Sequence, residues 1–269
     1  MRNLIKKIGC EIIYRTGLFK LATFNTRIIA FHKVNPEYFE KQINHLVKHY
    51  KVLPLNEIFS SDKNSVVITF DDGYKNNLEY AYPILKKYNL AATVFVTYKF
   101  IDENIFAWWD RLEYSRKHAD LSMLKSMNPY KIEKEITKLT DLNENARKPK
   151  EYDFMNWDDL KQVTDVFEIG SHTLTHPILT NIPLEDAEKE IIESKNKIEE
   201  KVGKQISYFA YPNGNYNDEL IEFVKKAGYK YAVTYEKGKN QTNNYTLHRR
   251  GINVKDNLAI FAAKVAGVF

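Results

Sequence analysis

The chain has 269 residues, of which 43% are hydrophobic and 28% charged, and it carries a formal net charge of +5. That length sustains one large α/β core, and the balance of apolar to charged residues excludes both a disordered chain and a bundle of membrane spans. A single cysteine, Cys10, excludes an intrachain disulfide and a cysteine-built metal centre, while the modest positive charge suits an anionic glycan, a phosphate-bearing lipid carrier or a membrane surface better than a nucleic acid.

Residues 1–25 read as a basic amphipathic helix, with Leu4, Ile5, Ile8, Ile12, Ile13 and Leu18 interrupted by Lys6, Lys7, Glu11 and Arg15. These charges break any spanning run or secretory signal. The segment is therefore expected either to rest on an anionic membrane or to pack over one end of the fold, and the expected compartment is the cytoplasm or the inner face of the cytoplasmic membrane. Residues 26–269 read as one domain. Arg27–Val34 is a strand with His32 near its end, followed by a helix over Pro36–His49 and a short strand at Lys51–Leu55. In SVVITFDDGY, Ser65–Tyr74, the continuous run of Val66, Val67, Ile68 and Phe70 suits a strand covered on both faces in a parallel sheet. It stops at Asp71, Asp72 and Gly73. Adjacent carboxylates repel, so a fold that keeps them separates their roles, for instance with a cation on one; the plainer alternative is an Asp-Asp-Gly turn.

A helix over Asn77–Tyr88 and a strand over Ala91–Thr97 complete a strand-helix-strand unit, the repeat of a parallel barrel, whose active sites lie where strands give way to loops. Ile101–Asp153 is a helix-rich insertion. In its FAWWDRL segment, Trp108 and Trp109 either stack on a sugar or plug the insertion to the barrel, and Asp110 is placed to bind a hydroxyl or amine. Asp158 and Asp159, at a helix start, either cap it or back a metal histidine. In FEIGSHTLTHP, Phe167–Pro177, a second apolar strand runs into His172 and His176, whose i, i+4 spacing lets them share a metal on one helical turn; Gly170 and Ser171 allow a tight approach and Pro177 ends the turn. Asp72 with these two imidazoles makes a three-ligand site with an open position for water. Leu184–Val202 reads as a long exposed helix with no chemistry, and further strands are expected at Tyr229–Tyr235 and Tyr245–Val254, before a closing helix.

TFDDG at Thr69–Gly73 and SHTLTH at Ser171–His176, in this order, resemble the first two motifs of the polysaccharide deacetylase family, the NodB-homology domain of carbohydrate esterase family 4, over roughly Ile28–Val254. The resemblance implies a distorted (β/α) barrel with a helical insertion at about 101–153. It also implies metal-dependent removal of N-acetyl groups from amino sugars of a cell-surface polysaccharide or its precursor. Asp72, His172 and His176 would hold one divalent ion, most simply zinc, with cobalt, nickel or manganese as alternatives, and Asp71 would be the general base. SYFAYPNGNYN, Ser207–Asn217, resembles the third motif, with Ala210 where relatives carry an arginine and Asn213 where they carry a tyrosine; Tyr211 and the Asn213 backbone N–H fall on the substrate side. The Phe31-His32 pair and the Trp-Trp-Asp run are similar to those of the surface-polysaccharide subgroup, directing His32, Trp108, Trp109 and Asp110 at the substrate. Leu247-His248 partly matches the fifth motif, Leu-x-His, whose histidine is the general acid, but the two residues are adjacent; the resemblance implies His248, or else His32, as the acid, and Arg249 as the charge that orients Asp71. The implied partner is an N-acetylated glycan. Two alternatives stand beside it: a deacetylase or deformylase of a lipid-linked amino sugar with peripheral membrane contact through the N-terminal helix, and a catalytically inactive glycan-binding barrel.

Overall fold

The computed structural model describes residues 2–60, 63–235 and 243–268; the side chains of residues 2–6 and 130, including Leu4, Ile5 and Lys6 of the expected amphipathic face, lie outside that description. Helix α1 (Arg2–Thr16) leads through the 3-10 turn Leu18–Leu21 into β1 (Thr26–Phe31) and α2 (Pro36–His49). Asn35 caps α2 by accepting from Glu37 N, and Pro36 occupies its first position, where the missing N–H costs nothing. Next come β2 (Lys51–Leu53), β3 (Ser65–Asp72), α3 (Tyr82–Lys87) and β4 (Ala92–Val96). The helix expected from Asn77 starts as a π turn, Asn77–Ala81, and becomes regular only at Tyr82, so Pro83 falls in a first turn.

Beyond β4 lie α4 (Tyr98–Glu103), α5 (Trp108–Ser115), α6 (Leu121–Ser126), α7 (Pro129–Thr140) and α8 (Trp157–Gln162). The insertion has its own small core of Leu112, Leu124, Ile132 and Ile136, against which Trp108 packs. The chain then continues through β5 (Phe167–Ser171), α9 (Leu184–Val202), β6 (Tyr208–Ala210), α10 (Asp218–Lys226), β7 (Tyr231–Thr234), β8 (Leu247–Gly251) and α11 (Leu258–Ala266).

Among the described residues, the named strands pair only in parallel. β1 pairs with both β3 and β8, which closes seven strands into a barrel, and β2 lies beside the first half of β3 while β4 takes its second half. Alternation sorts side chains into two cores. Ile28, Val67, Phe95, Ala210, Val233 and Leu247 fill the barrel interior, whereas Ile29, Ile68, Val94 and Phe209 face the helices. Every residue of β3 is buried, as its unbroken apolar run requires. Each fully buried side chain of this size contributes roughly 1.5–3 kcal/mol.

Helix α1 packs on the barrel's outer layer. Cys10 is buried against Ala259 and Ala263 of α11, and Phe19 of the following turn sits against His45 and His49 at the end of α2. Ile8, Ile12, Leu18 and Leu21 remain exposed. Among the described residues no helix is long and apolar enough to cross a membrane.

Candidate active site and metal centre

The end of β3 separates its two acids. Asp72 takes φ 69° and Gly73 φ 80°, a left-handed corner that glycine allows and where an added Cβ would meet Ile101 Cδ1 at 2.8 Å. Asp71 stays in the barrel mouth while Asp72 faces the loop after β5.

Asp72 Oδ1 lies 3.8 Å from His172 Nε2 and 3.5 Å from His176 Nε2. One donor atom from each residue falls within 4.8 Å of the others. The two histidines meet without a helical turn, contrary to the expectation from their i, i+4 spacing. The stretch is a loop in which Thr173 (φ 72°) and His176 (φ 65°) both adopt left-handed geometry. Four hydrogen bonds shape it: His176 N donates to Thr173 Oγ1, and Glu190 on α9 accepts from Leu174 N, Thr175 N and Thr175 Oγ1. His172 is oriented by its Nδ1, which donates to the Ala210 carbonyl at 2.7 Å; Nδ1 therefore carries the proton of the neutral ring, and the Nε2 lone pair faces Asp72.

The triad is short of a positive charge. Asp72 Oδ1 is buried with no hydrogen-bond partner among the described residues. Burial, reinforced by the adjacent Asp71, pushes the Asp72 carboxyl well above its usual range, and burial pushes His172 down to about 4 and His176 well down. An orphaned carboxylate oxygen facing two neutral imidazoles is a nitrogen-and-oxygen donor set that fits a divalent ion such as zinc.

Asp71 has the opposite environment. Arg249 Nη1 donates to Oδ1 at 2.6 Å and Nη2 to Oδ2 at 2.8 Å, while Tyr235 Oη donates to Oδ2 at 2.8 Å. Burial alone would raise this carboxyl, but the bidentate guanidinium outweighs it and holds Asp71 below the usual carboxylate range. Arg249 reaches Asp71 because Leu247 and Arg249 occupy the inward positions of β8. His32, just past β1, has Nε2 4.0 Å from Asp72 Oδ2 and its ring stacked on Tyr235 at 14°. A cleft of about 890 Å³ opens from these residues past Trp108 and Trp109 to Asn213. Insertion helix α6 reaches across it, with Lys125 Nζ donating to Asn213 Oδ1 at 2.7 Å and Asn181 donating to the Lys125 carbonyl.

The sequence profile of the family described as polysaccharide deacetylase matches residues 60–232, the stretch that supplies Asp71, Asp72, His172 and His176. The chain belongs to the polysaccharide deacetylase family. It is 31% identical over 225 residues to the poly-beta-1,6-N-acetyl-D-glucosamine N-deacetylase of Staphylococcus aureus (strain N315), covering 79% of this chain and 64% of that protein. It is 27% identical over 199 residues to YxkH of Bacillus subtilis, covering 73% of this chain and 54% of that one. The chain thus spans between about half and two thirds of these relatives' lengths. Among solved structures, the Streptococcus pyogenes deacetylase PplD in complex with acetate superposes with TM-score 0.65 at 20% identity, over 90% of this chain and 98% of that one. IcaB from Ammonifex degensii gives 0.66 at 16% identity, over 90% and 97%. These two show the shared fold.

Several expectations for this polysaccharide deacetylase family member are corrected by the structure. His248 is not in the cleft: strand alternation that turns Arg249 inward turns its neighbour to the outer face of β8. Asp110 is buried and committed, its Oδ1 to Lys33 Nζ and its Oδ2 to Tyr74 Oη, so it does not offer a carboxylate to substrate. Tyr211 is buried in the outer core against Phe209 and Tyr216. Asp159 caps α8 and binds Lys75, and Asp158 is exposed, so neither backs a metal histidine. Trp109 packs on His176 with ring centroids 4.8 Å apart, and Trp108 both lines the cleft and packs on the insertion's core. Three contributors escaped the sequence reading. Tyr235 directly follows β7 at the barrel rim, a position that signals the site; Glu190 sits on a helix read as inert; and Ala210 acts through its carbonyl, which no side-chain pattern reveals.

Proposed function

We propose that the chain is a metal-dependent hydrolase that removes N-acetyl groups from amino sugars of a surface polysaccharide or its precursor. The observation that carries this reading is the split acid pair: Asp71 held ionised by Arg249, beside a charge-deficient Asp72–His172–His176 cluster. A divalent ion held by that cluster supplies Lewis acidity and lowers the pKa of water. Asp71 takes the proton from the water that adds to the acetamide carbonyl, and Arg249 and Tyr235 fix the carboxylate for that transfer. The backbone N–H of Asn213 serves the developing oxyanion. With His248 on the outer face, His32 is the imidazole that protonates the departing amine as the C–N bond breaks, leaving acetate and a free amino sugar. The cleft's extent past Trp108 and Trp109 favours a glycan chain, and the named activity of the Staphylococcus aureus relative supports an N-acetylglucosamine polymer.

A second reading, peripheral attachment to an anionic membrane at the inner face, rests on exposed Ile8, Ile12, Leu18 and Leu21 beside Lys7, Arg15 and Lys20. Because α2 runs antiparallel to β1, the Phe19 contacts with His45 and His49 put Leu18–Leu21 at the barrel edge away from the cleft. Docking there leaves the cleft facing away from the bilayer, which favours a polymer over a lipid-linked sugar. Ile12→Glu and Leu21→Glu should reduce pelleting with anionic vesicles; equal pelleting of parent and variants removes this reading.

Bound zinc per chain, measured in the parent and in Asp72→Ala and His176→Ala, tests the main proposal, together with acetate release from N-acetylated glycans. About one equivalent in the parent and almost none in either variant is expected. A parent that binds none after zinc is supplied would leave a catalytically inactive glycan-binding barrel as the better account.

A further inference from the structure

Insertion helix α5 and the loop after β3 are joined through one hydroxyl. Tyr74, directly after Gly73, is buried; its Oη donates to Asp110 Oδ2 at 2.7 Å and accepts from Trp109 Nε1 at 2.8 Å. The direction is fixed, since an indole N–H can only donate and an ionised carboxylate can only accept. Lys33 Nζ donates to the other Asp110 oxygen at 2.9 Å and lies 4.5 Å from the Tyr74 ring centroid, so the buried carboxylate is matched by a cation.

A second path of contacts leaves the same tyrosine. Phe154 stacks on Tyr74 at 4.6 Å, Phe100 stacks on Phe154 at 4.7 Å, and Phe100 lies 5.8 Å from the His176 ring at 24°. Trp109 meets His176 from another side at 4.8 Å and also packs on Phe100. The two imidazoles of the triad are therefore supported differently. His172 has the Ala210 carbonyl, whereas His176, on a left-handed loop residue, is walled by two aromatic rings that both trace back to Tyr74.

We propose that Lys33, Tyr74 and Asp110 are positioning residues for the metal centre: they hold Trp109 against His176 and thereby fix the orientation of the second imidazole. The inference rests on the reading of Asp72, His172 and His176 as ligands of a divalent ion. It gives the Trp-Trp-Asp run a role in assembling the centre, with Asp110 acting through Tyr74 and Trp109. Without the Tyr74 hydroxyl, the Trp109 N–H and one Asp110 oxygen lose their shared partner, and the wall beside His176 is free to shift.

Zinc affinity measured by competition with a chromophoric chelator, and the visible absorption of the cobalt(II)-substituted protein, test this in the parent, Tyr74→Phe and Trp109→Phe, with thermal unfolding as the check on folding. Tyr74→Phe and Trp109→Phe are expected to bind zinc roughly ten- to a hundredfold more weakly, the usual range for loss of a group behind a ligand, and to shift the cobalt bands. Trp157→Phe, which removes an indole N–H outside the cleft, is expected to match the parent. Folded variants with the parent's affinity and cobalt spectrum overturn the positioning role while leaving the ligand assignment standing; a parent that binds no zinc overturns both. Trp109→Phe deletes the donor together with one ring of the indole that packs on His176 and Phe100, so if Tyr74→Phe does not fold, weakened zinc binding in Trp109→Phe supports the wall beside His176 and the parent's affinity there overturns it.

Discussion

Asp71 and Asp72 are adjacent in sequence yet sit in opposite fields, because Arg249 reaches only the first. The charge on Asp71 persists until pH falls through its depressed folded-state pKa, so its stabilising contribution is present above the usual carboxylate pKa and is lost on acidification. Arg249→Lys replaces a bidentate fork with a point charge and leaves burial less opposed, which raises the Asp71 pKa. The acid limb of the kcat/KM profile should therefore move to higher pH while the alkaline limb stays in place; an unmoved acid limb would show that Arg249 does not set this ionisation. His32→Ala should lower turnover by roughly 10²–10⁴-fold, the usual contribution of a general acid. His248→Ala, on the outer face of its strand, should leave turnover near the parent's, and the reverse ranking would restore His248 as the acid.

At the scale of elements, loops around the barrel mouth are held by partners far away in sequence. Glu190, in the second turn of α9, satisfies two backbone N–H groups and one hydroxyl of the histidine loop. Glu190→Ala strands those donors at about 1–3 kcal/mol each where they are buried, so zinc affinity and Tm should fall together. Retained zinc affinity would mean that the loop holds its shape unaided. Gly170 is required for close packing: a Cβ there would meet Phe95 Cδ1 at 2.7 Å and the Tyr208 carbonyl at 3.0 Å. Gly170→Ala should cost about 1–3 kcal/mol by overpacking, seen as a Tm drop of several degrees. A melting temperature equal to the parent's would show that β5 shifts without cost.

For the molecule as a whole, the N-terminal segment is tied to the barrel by an aromatic cluster around buried His45, which meets Tyr14, Phe19, His49 and Tyr50. Burial, then the nearby His49, pushes His45 down to about 4 from its ordinary value of 6.5. The unfolded chain thus binds more protons between these values, so this contribution is complete above about pH 6.5 and declines as pH falls toward 4. His45→Phe should flatten the fall in Tm over that interval, and an unchanged slope would place the acid sensitivity elsewhere.

The sequence by itself determined the strand that carries Asp71 and Asp72, the barrel repeat, the family motifs and the Asp72, His172 and His176 cluster that could hold a metal, because these depend on local runs and on residue types whose chemistry is distinctive. It also singled out Arg249 as the partner of Asp71. Only the tertiary structure decided what depends on which face of a strand a residue occupies or on contacts between distant segments. Alternation about Arg249 removed His248 from the cleft, and two left-handed residues brought His172 and His176 together without a helix. Burial turned Asp110 from a ligand for substrate into a partner of Lys33 and Tyr74, while Glu190 and the Ala210 carbonyl entered the site through backbone contacts that carry no sequence signature.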